Sequence, residues 1–236
     1  MGNLKCLVTG TGRCGTVYMA KLLTSLGVPC GHESVFDWNG LEGAIKRLKG
    51  HKDNTLSKIS QENCNDPNWI DPKTIQAESS YMSAPFLDNC ILKHTRLVHV
   101  VRNPVDVINS FRNSLNYFQD AVPNDQWERF IYRHIPCLCD ESLTPVDRTC
   151  LYYIKWNELI EEKLQNRGFW FHRIEDDISP VLDFLDISLK PNVFDNRTEN
   201  TLRQKQQDHF CLELISKQSI KTDLVTIGEK YGYTMN

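Results

Sequence analysis

The chain has 236 residues, of which 40% are hydrophobic and 24% charged, a composition typical of one soluble globular domain with a substantial core. Thirty acidic and 27 basic side chains give a net charge of −3, which excludes a general electrostatic attraction to nucleic acid or anionic membranes. No apolar run approaches the roughly 20 residues that cross a bilayer, and the first strand-like segment comes too early for a signal peptide. We therefore expect a cytoplasmic protein with no membrane span and no nucleic-acid partner.

The first 30 residues predict a β-strand, a glycine turn, a helix and a second strand. Residues 4–9 are rich in strand formers, and residues 16–26 carry apolar side chains at helical spacing. Gly27 ends this helix, and Pro29 cannot continue it. This order of elements is a βαβ opening.

Two stretches are interpreted as irregular insertions: a polar one at 37–76, with a modest helical stretch near 41–48, and one at 119–150 that bears proline and cysteine. Outside them strands and helices alternate, which predicts an α/β fold with a mainly parallel sheet. The other predicted elements are strands at 97–101 and 168–174 and helices at 105–115, 151–166, 180–185 and 212–232.

The nine cysteines follow no metal-binding or disulfide pattern. Their number is odd, no CxxC pair occurs, and Cys137 and Cys139 are too close together for a zinc knuckle. We expect most of the cysteines to be reduced, buried hydrophobes, and we expect no metal site.

A glycine loop joins the first strand to the first helix, where backbone N–H groups and the helix dipole form anion sites. Gly10, Gly12 and Gly15 fit the GxGxxG pattern of dinucleotide-binding folds, with Glu33 about twenty residues further on. The lysine of a kinase P-loop is missing, and a plain strand-to-helix turn is the remaining alternative. Arg13 inside the turn favours a phosphate or sulfate group that is bound and polarised.

A second candidate anion site follows the strand at 97–101. Arg102 ends this strand, Pro104 stands where a helix can begin, and Ser110 comes eight positions after Arg102. A guanidinium at the carboxyl end of a strand in an α/β sheet suits bidentate contact with a phosphate. A salt-bridged arginine and a solvated serine are the alternative.

Together these motifs resemble the sulfotransferases that use 3′-phosphoadenosine 5′-phosphosulfate (PAPS). The segment GTGRCGT is similar to their 5′-phosphosulfate loop, and VVRNPVDVINS is similar to their 3′-phosphate motif. GFWFHRIEDD resembles the late strand with its R-x-E-D pattern, and GEKYGY resembles the end of the final helix. The insertions at 37–76 and 119–150 are not covered by the resemblance.

The resemblance implies a three-layer α/β/α fold with a central parallel sheet, similar to P-loop nucleotide kinases, in a single domain over residues 1–236 with irregular helical insertions. It implies that Arg13 contacts the transferring sulfuryl group and stabilises charge as the S–O bond breaks. The residues implied to bind the cofactor are Arg13, Cys14, Gly15, Thr16 and Val17 at the 5′-phosphate, and Arg102 and Ser110 at the 3′-phosphate.

Three positions depart from the family's common pattern. Cys14 stands where serine is frequent, Tyr18 stands where an adenine-stacking tryptophan is frequent, and Ser79 replaces the lysine of an E-K-S-x-x-Y strand end. A polar basic stretch at 196–205 is interpreted either as a loop over the nucleotide phosphates or as an ordinary solvated loop.

The acceptor hydroxyl needs a base, and the segment GHESVF after the second strand offers two candidates. Glu33 is placed like the catalytic glutamate of several bacterial and carbohydrate sulfotransferases, and His32 is the second candidate. A carboxylate accepts the proton directly if its surroundings raise its pKa towards neutrality.

The function expected from these features is transfer of a sulfuryl group from PAPS to a hydroxyl or amine by in-line displacement, with adenosine 3′,5′-bisphosphate as product and without a metal. The acceptor is a small molecule, a glycan or a lipid, and the oligomeric state is not predicted. Two alternatives are a Rossmann-type NAD(P)-dependent oxidoreductase and a catalytically inactive nucleotide-binding protein.

Overall fold

The computed structural model describes residues 4–49, 75–114, 117–188 and 210–235. Within them, five parallel strands form one sheet in the order β2-β3-β1-β4-β5. The strands are β1 (Cys6–Gly10), β2 (Cys30–His32), β3 (Ala77–Ser79), β4 (Arg96–Val101) and β5 (Phe169–Arg173). The helices are α1 (Thr16–Ser25), α2 (Gly40–Leu48), α3 (Pro104–Ser114), α4 (Gln126–His134), α5 (Pro145–Leu164), α6 (Ser179–Leu185) and α7 (Gln218–Lys230).

Helices cover both faces of the sheet, because the central strands alternate their apolar side chains between two cores. Val8 of β1 and Val98 of β4 pack with apolar residues of α1 and α6. Leu7 and Leu97, one position earlier in each strand, belong to the larger core that α3, α5 and α7 complete. The predicted three-layer α/β/α arrangement with a parallel sheet is confirmed.

The sheet order excludes the Rossmann alternative. In that fold the second strand lies beside the first, whereas here β3 lies between β1 and β2 and pairs with both. The GxGxxG match therefore does not indicate a dinucleotide-binding fold.

The structure corrects the prediction of an irregular stretch at 119–150. Helix α4 lies within it, and the Asp125 side chain caps this helix by accepting the N–H of Glu128. Helix α5 begins at Pro145, six residues before the predicted start, because Thr144 and Asp147 form a reciprocal capping box. In the C-terminal region, helix α7 covers Gln218–Lys230, and a short 3₁₀ turn at Leu212–Leu214 precedes it.

All eight described cysteines are free thiols. Four of these eight cysteines are buried and four are exposed, so the prediction that most are buried is wrong. The exposed ones are Cys90, Cys137, Cys139 and Cys211.

Candidate active site

A cavity of about 460 Å³ opens at the edge of the sheet where the parallel strands end. It is lined by the loop after β1, the turns after β2 and β3, the ends of β4 and β5, and side chains of α3, α4 and α5. Strand β1 lies at the centre of the sheet, with β3 on one side and β4 on the other. This is the switch point at which open α/β sheets bind ligands.

The glycine loop after β1 is held in a tight shape by contacts that exclude larger side chains. A Cβ atom at Gly10 would lie 2.2 Å from a backbone oxygen of β4, and one at Gly15 would lie 2.7 Å from Cγ1 of Ile174. Gly15 also has a φ of 110°, which favours glycine. The N–H of Gly12 donates a 2.8 Å hydrogen bond to the buried Tyr152 hydroxyl, so the loop is fastened to α5.

The N-terminus of α1 faces this cavity and has no side-chain cap or first-turn acidic residue. Its first N–H groups have no partner within the helix, and the positive end of the helix dipole adds to their attraction for anions. Thr16 and Val17 line the cavity at this point, and the Thr16 hydroxyl lies 3.2 Å from Nε2 of His32. The donors and the space suit a phosphate group.

Arg13 projects from the glycine loop with a φ of 68°, an uncommon backbone conformation for a residue other than glycine. Its Nε donates a 2.8 Å hydrogen bond to the Ser110 hydroxyl of α3. Burial lowers the pKa of Arg13, and the positive charge of Arg102 lowers it further. Arg102 lies 3.4 Å from the Asp106 carboxylate, whereas no described carboxylate pairs with Arg13. Two guanidinium groups at one cavity, of which only Arg102 has a described carboxylate partner, suit a multiply charged anion.

Glu33 and His32 lie on the other side of the cavity, in the turn after β2. Glu33 has a φ of 54°, and its Oε1 lies 3.5 Å from Nε2 of His32. Burial, together with the negative charges of Glu78 and Asp37, raises the pKa of Glu33 to about 8. Burial lowers the pKa of His32 to about 4, so the imidazole is neutral at pH 7.

Glu78 of β3 is a buried carboxyl group whose role the sequence does not reveal. Its Oε1 accepts the N–H groups of Val35 at 2.9 Å and Phe36 at 3.3 Å, while its Oε2 has no partner among the described residues. Burial raises the pKa of Glu78 to about 7. Glu78 therefore fixes the turn that carries Glu33.

No protein-family model and no curated protein matches the chain. Among solved structures, the sulfotransferase domain from the curacin biosynthetic pathway matches with a TM-score of 0.51 and 14% sequence identity, over 99% of each chain. This chain has the sulfotransferase fold. At this level of identity the likeness establishes the fold, and the reaction is inferred from the site.

In the sulfotransferase fold of this chain, the residues singled out from the sequence converge on one cavity. Those that line it are Arg13, Gly15, Thr16, Val17, Tyr18, His32, Glu33 and Arg102. Ser110 does not line the cavity, but its hydroxyl accepts a hydrogen bond from Arg13, which does. Cys14 does not line it: the thiol is buried in the core beside α1, and its N–H points to the Thr11 carbonyl at 3.4 Å.

Ser79, at the position where the family's lysine is replaced, is fully buried. Its hydroxyl donates a 2.8 Å hydrogen bond to the Thr16 carbonyl and so joins β3 to the start of α1. This position therefore supplies a structural contact in place of a second cation.

Aromatic side chains form the wall of the cavity beside Glu33. Tyr81 follows β3, and its ring stacks on Trp127 of α4 with centroids 5.0 Å apart. The Trp127 ring lies nearly parallel to that of Tyr117, with ring centroids 6.5 Å apart and an interplanar angle of 19°. All three residues line the cavity, and we call them the aromatic wall. Trp127 lies within the stretch at 119–150, which the sequence resemblance does not cover.

The two late motifs of the sequence meet beside β5. The Tyr233 hydroxyl donates a 2.7 Å hydrogen bond to Oε2 of Glu175, and Arg173 donates to the Gly232 carbonyl at 3.0 Å. The Arg173 guanidinium also lies over the Tyr233 ring, 5.5 Å from its centroid. The C-terminal segment thus supports the strand end from which Ile174 and Glu175 line the cavity.

Within the described ranges, no helix is long and apolar enough to cross a membrane. The same ranges contain no group of three or more His, Cys, Asp and Glu side chains placed to hold a metal ion. The basic stretch at 196–205 lies outside the described residues.

Proposed function

We propose that this protein is a PAPS-dependent sulfotransferase, which transfers a sulfuryl group to an acceptor hydroxyl and releases adenosine 3′,5′-bisphosphate. The hydrogen bond between Arg13 and Ser110 carries the proposal, because it joins the glycine loop to the second anion motif at one cavity. The sulfotransferase fold supports it independently.

The residues present fit the nucleotide. Donors for the 5′-phosphosulfate come from the glycine loop at Gly15, the uncapped N-terminus of α1 and the Thr16 hydroxyl. Arg102 and Ser110 supply a cation and a hydroxyl for the 3′-phosphate; the Ser110 oxygen accepts from Arg13, which leaves its O–H free to donate. Cys14 contributes only to the shape of the loop in this proposal.

PAPS, when bound, supplies the activated sulfuryl group. Arg13 stabilises the negative charge that develops on the departing phosphate oxygen as the bond to sulfur breaks. The acceptor oxygen forms the new bond to sulfur, and its proton passes to the Glu33 carboxylate.

Glu33 is favoured over His32 as the base because of their environments. A carboxylate whose conjugate acid has a pKa of about 8 holds a proton far more strongly than an imidazole with a pKa of about 4. His32, between the Thr16 hydroxyl and Glu33, is suited to position both groups.

The proposed reaction is tested with PAPS carrying a ³⁵S label. Wild-type protein incubated with a panel of phenols, sugars and aliphatic alcohols is expected to yield a labelled sulfate ester and stoichiometric adenosine 3′,5′-bisphosphate. Nucleotide binding without a labelled product from any acceptor would favour the catalytically inactive alternative. Failure to bind adenosine 3′,5′-bisphosphate would contradict the proposal itself.

A further inference from the structure

The Tyr81 hydroxyl is a buried polar group without a hydrogen-bond partner among the described residues. Tyr81 is 3% exposed and lines the cavity. A buried hydroxyl is almost always hydrogen-bonded, because leaving it unpaired costs free energy in the folded state. Because Tyr81 lines the cavity, a ligand bound there is the candidate for the missing partner.

The aromatic wall around Tyr81 offers flat apolar surfaces. Trp127 and Tyr117 are half-buried, so their rings remain accessible from the cavity. Ile131 of α4 and Phe111 of α3 extend the apolar lining. Ring faces of this kind bind planar apolar groups by offset stacking.

Two polar side chains beside this wall already have partners within the protein. Both carboxylate oxygens of Glu128 already accept backbone N–H groups, from Phe118 and Asn124, each at 2.6 Å. The Tyr152 hydroxyl accepts the N–H of Gly12. The Tyr81 hydroxyl, which has no partner among the described residues, and the Glu33 carboxyl group line this part of the cavity and suit one acceptor hydroxyl as donor and base.

We propose that the acceptor is an uncharged phenol whose ring lies against Trp127 and Tyr117 and whose oxygen accepts a hydrogen bond from Tyr81. This inference rests on the proposed sulfotransferase function. The phenol oxygen forms a bond to sulfur, the bond from sulfur to the phosphate oxygen breaks, and the phenol proton goes to Glu33. Tyr81 keeps its own proton and stabilises charge on the attacking oxygen. A sugar fits less well, because it presents no planar aromatic ring to these side chains.

The acidity of the acceptor supports this assignment. A phenol has a pKa near 10, within reach of the raised pKa of Glu33, about 8. Proton transfer from an aliphatic alcohol to the same carboxylate is much further uphill.

The acceptor class is tested with a phenol, a saturated alcohol of the same carbon skeleton and a sugar. Initial rates of ³⁵S transfer are compared for 2-naphthol, decahydro-2-naphthol and methyl β-glucoside. We expect kcat/KM for 2-naphthol to exceed that of the other two by about tenfold or more. An equal or higher kcat/KM for the saturated alcohol or the glucoside would overturn the proposal.

The role of Tyr81 is tested with Tyr81→Phe, which keeps the ring and removes the hydroxyl. We expect affinity for 2-naphthol, measured by calorimetry with adenosine 3′,5′-bisphosphate present, to fall about threefold to tenfold. The unfolding temperature should stay the same or rise, because an unpaired buried hydroxyl is removed. Unchanged affinity would overturn the role of Tyr81.

Tyr132→Phe is the matched control. Tyr132 belongs to the same aromatic cluster but does not line the cavity, and its hydroxyl donates to the Asp120 carbonyl at 2.8 Å. This variant is expected to lower the unfolding temperature and to leave the affinity for 2-naphthol unchanged. An equal loss of affinity in both variants would overturn a specific role for Tyr81.

Failure of this inference is distinguishable from failure of the proposed function. If adenosine 3′,5′-bisphosphate binds and label passes only to non-aromatic acceptors, the phenol proposal is wrong and the sulfotransferase proposal stands. If the bisphosphate does not bind, both are wrong.

Discussion

Arg13 and Ser110 lie 97 residues apart in the chain, and the Arg13 Nε donates a 2.8 Å hydrogen bond to the Ser110 hydroxyl. Each belongs to a separate motif, one after β1 and one in the helix after β4. Because β1 and β4 are adjacent and parallel, the segments that follow them emerge side by side. The bond joins the two motifs at one cavity, which we propose binds the nucleotide.

The first prediction concerns the 3′-phosphate. Arg102→Ala is expected to weaken binding of adenosine 3′,5′-bisphosphate by about 1.5–3 kcal/mol, since a charge-assisted contact is lost. Binding of 5′-AMP, which lacks the 3′-phosphate, should change little. Calorimetric titration of both nucleotides measures the difference.

Arg96→Ala serves as its control. Arg96 lies at the opposite end of β4, exposed and 3.4 Å from Asp186, so this variant should bind both nucleotides like the wild type. Equal weakening by Arg96→Ala and Arg102→Ala would show that Arg102 does not contact the 3′-phosphate.

The second prediction concerns the base and its pH dependence. The Glu33 carboxyl group must be ionised to accept a proton, and its pKa is raised to about 8. The value of kcat should therefore rise with pH below 8 and level off above it, with about a tenth of the plateau rate at pH 7.

Glu33→Gln should lower kcat by about 10²–10⁴-fold and abolish this rise, while affinity for adenosine 3′,5′-bisphosphate stays nearly unchanged. His32→Ala is expected to be milder. A near-normal kcat in Glu33→Gln combined with an inactive His32→Ala would make the histidine the base.

The third prediction concerns stability and the buried Glu78. Its pKa is about 7 in the folded protein and near 4.5 when the chain is unfolded, so the folded state binds its proton more tightly. The stability that this proton confers is complete below pH 4.5 and is lost as the pH rises through 7. Urea unfolding at pH 5 and pH 8 should show a smaller pH-dependent loss in Glu78→Gln than in the wild type. The same loss in both proteins would argue against a raised pKa at Glu78.

The fourth prediction concerns the contact between Tyr152 and the glycine loop. Tyr152→Phe leaves the buried N–H of Gly12 without an acceptor, which should reduce the free energy of unfolding by about 1–3 kcal/mol. Affinity for adenosine 3′,5′-bisphosphate should also fall, because the loop is less firmly held.

Tyr231→Phe separates these two effects, because it removes a hydroxyl that donates to Glu161, away from the cavity. It should reduce stability without reducing nucleotide affinity. If Tyr152→Phe also left nucleotide affinity intact, the contact would be structural only.

The sequence predicts the parts of this molecule that local patterns encode. Continuous apolar runs mark β1 and β4, and the glycines between β1 and α1 identify the loop of the candidate site. Arg13, Arg102 and Glu33 stand out because each follows a strand, and strand ends in a parallel sheet share one edge.

Features that depend on contacts between distant segments are not predictable in this way. Tyr81 and Tyr152 look like ordinary aromatic residues until the fold places one beside the cavity and the other beneath Gly12. Glu78 stands in a short strand, and only its burial gives it a raised pKa. Helix α4 lies in a stretch that bears proline and cysteine and shows no clear helical pattern, and its Asp125 cap is evident only in the structure.

Nucleotide binding by the wild-type protein is the decisive measurement for the proposed PAPS site. Calorimetric titrations with adenosine 3′,5′-bisphosphate, 5′-AMP and NADH under identical conditions compare the three affinities without requiring an acceptor. We expect the bisphosphate to bind about tenfold or more tightly than 5′-AMP, because in the proposed complex Arg102 and Ser110 contact its 3′-phosphate. Equal affinity for the two adenosine nucleotides, or tighter binding of NADH, would contradict it.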